Sequence, residues 1–307
     1  MPAPSPAFAD TLSRFLFERA AVHGALVSLD DACREILGQH PYPPALRRVL
    51  AELLAAAALL ASTLKFKGTL IVQMQGVGPV RLLVVECDAA LNLRATAQWR
   101  DAAEALAADT PLSVLAGDQT RSRLAITLDP KDGSPLSQGI VALEASSIAA
   151  MIEHYLTTSE QIDSRMVLAT DGARARGILL QRLPSAGPDD EAAWQRAVRQ
   201  VELLDGADLL GASGVEALLG ACFDEDDVRV FAPRPARFRC DCSDERVANA
   251  LRMLGRSEVE SILAEQGMVG VTCEFCNRSY HFVAADALAL FTRQEPRTDA
   301  PPDAVRH

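Results

Sequence analysis

Two closely spaced pairs of cysteines near the C-terminal end constrain this chain more than any other feature. Cys240 and Cys242 form a CxC pair, and Cys273 and Cys276 form a CxxC pair, with residues 243–272 between them. Two such pairs can complete the tetrahedron of thiolates that zinc prefers in structural sites. The sequence therefore predicts that these four cysteines hold one zinc ion.

The spacing leaves two interpretations of this zinc site open. Closed sites with four thiolates are mostly structural, and CxxC pairs are common in zinc knuckles. A CxC pair is less common. A disulfide between its two cysteines would close a tight, strained ring, and strained disulfides are labile. The adjacent Arg237 and Arg239 would favour the thiolate form. The four thiols are thus candidates for a structural site and for a redox switch.

Composition limits the classes of protein to which the chain can belong. The 307 residues are 49% hydrophobic, which predicts about two domains with a sizeable core. The net charge of -11 repels phosphate backbones, so no nucleic-acid partner is expected. Residues 1–6 show no secretory signal, and the apolar run Val49–Ala61 is too short to span a bilayer. A cytoplasmic protein without a membrane partner is expected.

Apolar patterns and turn residues predict the elements of the first half of the chain. Prolines at its start open a buried, Ala-rich helix over residues 43–64, and Ser147 caps a helix over 148–157. The intervening and following segments alternate in polarity and are bounded by Gly, Pro and Asp. The predicted strands are Thr69–Gln75, Val80–Cys87, Leu91–Gln98, Leu124–Leu128, Gly139–Glu144 and 175–183.

The second half of the chain is predicted to be helical before the cysteine pairs. The segment PSAGPDD at 184–190 indicates a loop, and two helices divided by GASG at 211–214 are expected within 191–222. Two more helices, 244–254 and 257–266, are expected between the cysteine pairs. The predicted fold class is α+β, with an N-terminal α/β domain over 1–184, a helical linker over 185–232, a small C-terminal zinc-binding domain over 233–292 and a disordered tail over 293–307.

The predicted linker helices carry an amphipathic pattern of apolar residues. Such a surface can be docked core or can bind another protein, and the sequence alone favours neither. The apolar residues of this pattern are Trp194, Val198, Val201, Leu204, Leu209, Leu210, Leu218 and Leu219.

Four other residues with reactive side chains are interpreted as structural. Cys33, Cys87 and Cys222 lie in apolar or helical contexts, where a free cysteine is commonly a small core residue. His281 is interpreted as a strand residue, because four cysteines already fill a zinc tetrahedron.

Longer motifs around the cysteines resemble those of a known family. The segments are FRCDCS at 238–243, VTCEFCNRSYHF at 271–282, HYLTTSEQ at 154–161 and GILLQRLP at 177–184. In these motifs the chain resembles the Hsp33 family, the redox-regulated, ATP-independent holdase chaperones of bacteria. The resemblance extends to about residue 291 and covers nearly the whole chain.

The resemblance implies a function and a role for each clustered cysteine. In the reduced protein, Cys240, Cys242, Cys273 and Cys276 would ligate one zinc ion, and the chaperone would be inactive. Oxidative stress would convert them to redox-active disulfides, Cys240 with Cys242 and Cys273 with Cys276, and release the metal. The zinc domain would then unfold and the linker would loosen. The active form would be a cytoplasmic homodimer that binds unfolding proteins and is not an enzyme.

Two other functions are compatible with the cysteine spacing. A thiol-disulfide oxidoreductase would also use a CxxC pair, but that pair normally follows a strand and opens a helix. Here Cys276 precedes NRSYHF, which predicts a turn and a strand. A purely structural zinc module for protein interaction is the second alternative.

Overall fold

The computed structural model describes residues 8–63, 67–143, 147–184 and 188–292. The chain forms two compact units, the N-terminal unit, Met1–Cys240, and the C-terminal unit, Asp241–His307. The predicted α+β class is confirmed. The predicted boundaries, including a separate linker over 185–232, stay a prediction, and the predicted disordered tail over 293–307 lies outside the described residues.

The N-terminal unit combines seven described helices with twelve described strands. The helices are α1 (Asp31–Leu37), α2 (Pro44–Thr63), α3 (Leu112–Ala116), α4 (Ile148–Thr158), α5 (Pro188–Glu202), α6 (Gly206–Gly211) and α7 (Val215–Cys222). The strands are β1 (Thr11–Phe17), β2 (Val22–Leu29), β3 (Thr69–Gln75), β4 (Val80–Asp88), β5 (Asn92–Trp99), β6 (Arg123–Asp129), β7 (Ser137–Ala142), β8 (Ser164–Thr170), β9 (Ala175–Arg182), β10 (Val228–Val230), β11 (Arg234–Pro235) and β12 (Arg237–Phe238).

These strands form two sheets. The first has the order β10-β1-β2-β9-β8, with β11 also paired to β1, and the second has the order β12-β5-β4-β3-β6-β7. Neighbouring strands are antiparallel except β12 and β5, which run parallel. The last three strands thus return the chain to both sheets immediately before the first cysteine pair.

Helix α2 explains how the two sheets share one core. It packs against strands of both sheets, and 15 of its 20 residues are buried. Its many alanines let strands approach closely on opposite sides, as expected for a helix that is apolar all round. The single acidic residue in this apolar run, Glu52, forms an ion pair with Arg48 at 2.8 Å. The predicted buried, Ala-rich helix is confirmed.

The outer face of the first sheet carries a second core beneath helices α5–α7. Trp194, Val201, Leu209, Leu218 and Leu219 are buried there against the apolar side chains of β1, β2 and β9. Val198, Leu204 and Leu210 are partly buried and pack on the same cluster. The amphipathic face predicted from the sequence is therefore docked core in this conformation.

The C-terminal unit is small and has a thin core. Its described elements are α8 (Asp244–Leu254), α9 (Arg256–Gln266), β13 (Met268–Thr272), β14 (Ser279–Val283) and α10 (Ala284–Thr292). The two strands form an antiparallel hairpin. In the described part of this unit, the buried hydrophobic cluster consists of Leu251, Val259, Val269 and Ala287. The two helices predicted between the cysteine pairs are confirmed.

Candidate metal centre

The first cysteine pair follows a strand that is tied to the second sheet. Phe238 pairs with Leu93 in the parallel β12–β5 ladder, and the backbone N–H of Arg239 donates to the carbonyl of Leu93 at 3.0 Å. Cys240 is the next residue, so the backbone that leads to its thiol is fixed to β5. Cys242 is followed by Ser243, whose hydroxyl caps α8.

The second cysteine pair lies in the turn of the β13–β14 hairpin. Thr272 pairs with Ser279, and the backbone N–H of Cys273 donates to the carbonyl of Arg278 at 2.9 Å. Asn277 donates its N–H to the carbonyl of Cys273 at 2.8 Å and has a φ of 55°, a left-handed conformation that asparagine tolerates well. These bonds hold Cys273 and Cys276 in one tight turn.

The four predicted ligands come together as one group. The sulfurs of Cys240, Cys242, Cys273 and Cys276 all lie within 4.8 Å of one another, and those of Cys242 and Cys276 are 3.2 Å apart. A tetrahedron with Zn–S bonds of about 2.3 Å places its sulfurs about 3.8 Å apart. Each of the four residues is only partly buried. Donor type, number and spacing therefore fit one metal ion held by four thiolates.

An arginine that the sequence did not indicate lies beside the first cysteine of the group. The Nη1 of Arg94, on β5, is 3.9 Å from the sulfur of Cys240, and a 2.6 Å ion pair with Glu86 holds the guanidinium in place. A cation at this distance favours the thiolate over the thiol. Of the two arginines proposed from the sequence, Arg237 donates instead to Asn92 at 2.8 Å.

Comparison with known proteins assigns the chain to a family. A family model described as "Hsp33 protein" matches residues 10–283. The chain belongs to the Hsp33 family. The 33 kDa chaperonin of Methylobacillus flagellatus is 46% identical over 288 residues, which cover 93% of this chain and 95% of that protein. The 33 kDa chaperonin of Chromobacterium violaceum is 44% identical over 283 residues, which cover 92% and 94%.

A solved structure supports the fold of this Hsp33 chain. The crystal structure of the 33 kDa chaperonin from Thermotoga maritima matches it with a TM-score of 0.74, covering 92% of this chain and 97% of that one. Its sequence identity is 20%, so the likeness concerns the fold alone.

Family membership gives the chain a chaperone function, which implies that it binds client proteins. The part of the chain that the structure describes contains no helix with the length and apolarity needed to cross a membrane.

The remaining cysteines of this Hsp33 chain are buried core residues, as predicted. Cys33, Cys87 and Cys222 are free thiols away from the metal centre. Burial raises the pKa of Cys33 to about 12 and that of Cys222 to about 11, and it also raises the pKa of Cys87. These thiols stay protonated near neutral pH. His281 lies in β14, as predicted, and outside the four-cysteine group.

The two upstream motifs have structural roles. In HYLTTSEQ, the Tyr155 hydroxyl donates to Glu160 at 2.5 Å and thereby ties α4 to the loop that follows it. Gln161 adopts a φ of 58°, which turns the chain towards β8. The motif GILLQRLP lies mostly on β9, which is buried along most of its length between α2 and helices α5 and α6.

Proposed function

We propose that this chain is an oxidation-activated holdase. Cys240, Cys242, Cys273 and Cys276 would bind one zinc ion in the reduced, inactive form, and their oxidation to disulfides would release the metal and activate client binding. The observation that carries this proposal is the grouping of four thiols in a unit whose own core is thin. Soft thiolate donors in tetrahedral number favour zinc among the common divalent ions.

The thin core explains why the thiols would control folding of the C-terminal unit. Its described buried cluster has four members with six partly buried side chains packed on it, and units this small usually need a metal or disulfides for stability. Structural zinc supplies about 10–16 kcal/mol of apparent binding free energy in small domains. Most of the folding free energy of this unit would therefore depend on four intact thiolates.

Oxidation would remove the metal ligands in a balanced two-electron step for each pair. Two thiolates form one S–S bond, and their two electrons, with two protons, reduce one peroxide to two waters. Following the family pattern, Cys240 pairs with Cys242, and Cys273 pairs with Cys276. Four oxidised sulfurs no longer hold the metal, so the C-terminal unit loses the interaction that folds it.

Helices α5–α7 would then supply surface for unfolding clients. Their apolar face is buried on the first sheet in this conformation, and loosening them would expose that face and the sheet beneath it. Exposed apolar patches of this kind bind other apolar surfaces. The active form would be a homodimer in the cytoplasm, and unfolded proteins would be its partners.

One experiment tests this function with the full chain. Reduced, zinc-loaded protein is treated with peroxide, and released zinc and suppression of the aggregation of a heat-unfolded client are followed together. We expect about one zinc per chain to be released as suppression rises from near zero, and Cys87→Ala, which alters a buried thiol of β4 outside both the metal centre and helices α5–α7, to behave like the unaltered chain.

Two results would favour a different function. Zinc release without any gain in suppression would indicate a purely structural metal site. Repeated turnover of a substrate disulfide would indicate a thiol-disulfide oxidoreductase, although its CxxC pair would then lie in a hairpin turn rather than at the start of a helix.

A further inference from the structure

Arg176 is a charged side chain in the core of the N-terminal unit. It lies on β9, is 1% exposed and is among the largest fully buried side chains. Among the described residues, no carboxylate forms a direct ion pair with it. A buried cation without a direct counter-ion is costly unless its N–H groups are satisfied by hydrogen bonds. The acceptors of these hydrogen bonds therefore identify the part of the fold that the Arg176 guanidinium stabilises.

The hydrogen bonds of Arg176 join β9 to the end of helix α6. Its Nη1 donates to the carbonyl of Leu209 at 3.1 Å and to that of Ala212 at 2.7 Å. Its Nε donates to the hydroxyl of Ser28, the residue paired with Arg176 across β2 and β9, at 3.1 Å. The guanidinium carbon lies 4.5 Å from the ring centre of Phe8. The first sheet thus fixes the Nε of Arg176 through Ser28, while the Nη1 binds the C-terminal end of α6.

Helix α6 needs such support because it has only six residues. Isolated helices of this length are unstable in water, and their last carbonyls have no partner within the helix. A capping box formed by Asp205 and Asp208 closes the N-terminal end. At the other end, Leu209 lies in the last turn and Ala212 is the C-cap, so Arg176 supplies donors from outside the helix.

We propose that Arg176 is a positioning residue that keeps α6 docked on the first sheet and so keeps the chaperone inactive. This inference rests on the proposed function, in which loosening of helices α5–α7 activates client binding. The docked guanidinium is deprived of water and is offset by hydrogen bonds to α6, whereas the undocked guanidinium is hydrated again. Because these two effects largely offset each other, the contact sets where α6 docks and contributes less net free energy than burial of an apolar side chain of the same size.

The test compares hydrogen exchange and chaperone activity in reduced, zinc-loaded full-length variants. Arg176→Met fills similar space but leaves the carbonyls of Leu209 and Ala212 without donors. We expect amides of Gly206–Gly211 to exchange about tenfold faster, as loss of buried hydrogen bonds predicts. We also expect client aggregation to be suppressed without oxidant while zinc content stays unchanged.

Two further variants separate positioning from general stability. Arg174→Met removes the same charge two residues away, where the side chain pairs with Asp171 at the surface, and should leave exchange in α6 unaltered. Arg176→Lys keeps a donor that can reach one carbonyl, and should recover part of the protection.

The possible outcomes separate the positioning role of Arg176 from its link to client binding. Unchanged amide exchange in Gly206–Gly211 of Arg176→Met would overturn the positioning role. An equal loss of protection along β2 would also overturn it, because Arg176 would then be an ordinary core residue. Faster exchange in α6 without activity of the reduced variant, while the oxidised unaltered chain is active, would overturn the link to client binding and leave the proposed function standing. An inactive oxidised unaltered chain would instead contradict the proposed function, and exchange in α6 would still decide the positioning role.

Discussion

At the scale of single residues, the seven cysteines fall into two chemical classes. Cys240, Cys242, Cys273 and Cys276 are partly exposed and share one site, whereas Cys33, Cys87 and Cys222 are buried in apolar surroundings. The thiolate is the nucleophile, so a raised pKa suppresses both alkylation and oxidation. A redox switch in this chain would therefore be confined to the clustered four.

This difference predicts the course of thiol alkylation. At pH 8, a thiol with a pKa of about 11, such as Cys222, is ionised in about one molecule in a thousand, against about a quarter for an ordinary thiol. Zinc-loaded protein should alkylate slowly, chelation should open four sites to iodoacetamide, and Cys33 and Cys87 should react only after denaturation. Mass spectrometry of the labelled peptides identifies the sites.

The matched control is Cys222→Ser, which should still show four reactive sites after chelation. Labelling of Cys33 or Cys87 in the folded, chelated protein would contradict the separation into two classes. Equal labelling of the four clustered cysteines with and without zinc would show that they do not bind the metal.

The sequence predicted the four-cysteine group but not the contacts of Arg94 and Arg176. The spacing within CxC and CxxC is local, so it can be read directly from the chain. Arg94 reaches Cys240 only because β12 pairs in parallel with β5. Arg176 reaches α6 only because β9 lies beneath it. Contacts of this kind depend on pairing between strands that are far apart in the sequence. The residues next to Arg94 and Arg176 do not indicate which distant segment each side chain will reach.

At the scale of elements, the N-cap of α8 lies directly beside the first cysteine pair. The hydroxyl of Ser243 accepts from the N–H of Arg246 at 3.3 Å, next to Cys242, one of the four clustered cysteines. Removing such a cap costs about 1 kcal/mol. If metal binding and folding of this unit are one process, Ser243→Ala should weaken zinc binding about fivefold. Competition with a chromogenic chelator measures this change.

A matched variant exists in the N-terminal unit. Ser147 caps α4 in the same way, accepting from the N–H of Ala150 at 3.2 Å. Ser147→Ala should lower the stability of that unit by a similar amount and leave zinc affinity unchanged. Equal zinc affinity in both variants would show that the C-terminal unit is folded before the metal binds.

Elements with a strong local pattern were predicted well. Strand Thr69–Gln75 was predicted with its observed bounds, and the cap at Ser147 was also correct. Strands β1, β2 and β8 were not predicted, nor were helices α1, α3 and α10. The predicted strand Gly139–Glu144 is observed as Ser137–Ala142, and Glu144 lies outside the described residues.

The prediction of two helices within 191–222 was wrong. Three helices are present, because α5 ends at Glu202 and Asp205 starts a new helix with its capping box. The loop predicted at 184–190 is shorter than expected, since α5 already begins at Pro188; residues 185–187 lie outside the described part of the chain.

At the scale of the whole molecule, the two units differ in the size of their described cores. The N-terminal unit has an extensive core around α2, whereas the described C-terminal unit has a small one. Strands β10, β11 and β12 lie between α7 and Cys240 in the chain and pair with β1 and β5. Loss of the metal centre would therefore act first on the C-terminal unit and then, through this short segment, on α5–α7.

Hydrogen exchange measured by mass spectrometry before and after peroxide treatment tests this coupling most directly. If release of zinc unfolds the C-terminal unit and loosens the helices before it, α8 and helices α5–α7 should lose protection as zinc is released and aggregation is suppressed, while β3 and α2 stay protected. The result that would contradict the account is an oxidised, zinc-free, active chaperone in which α8 and α5–α7 remain as protected as in the reduced protein.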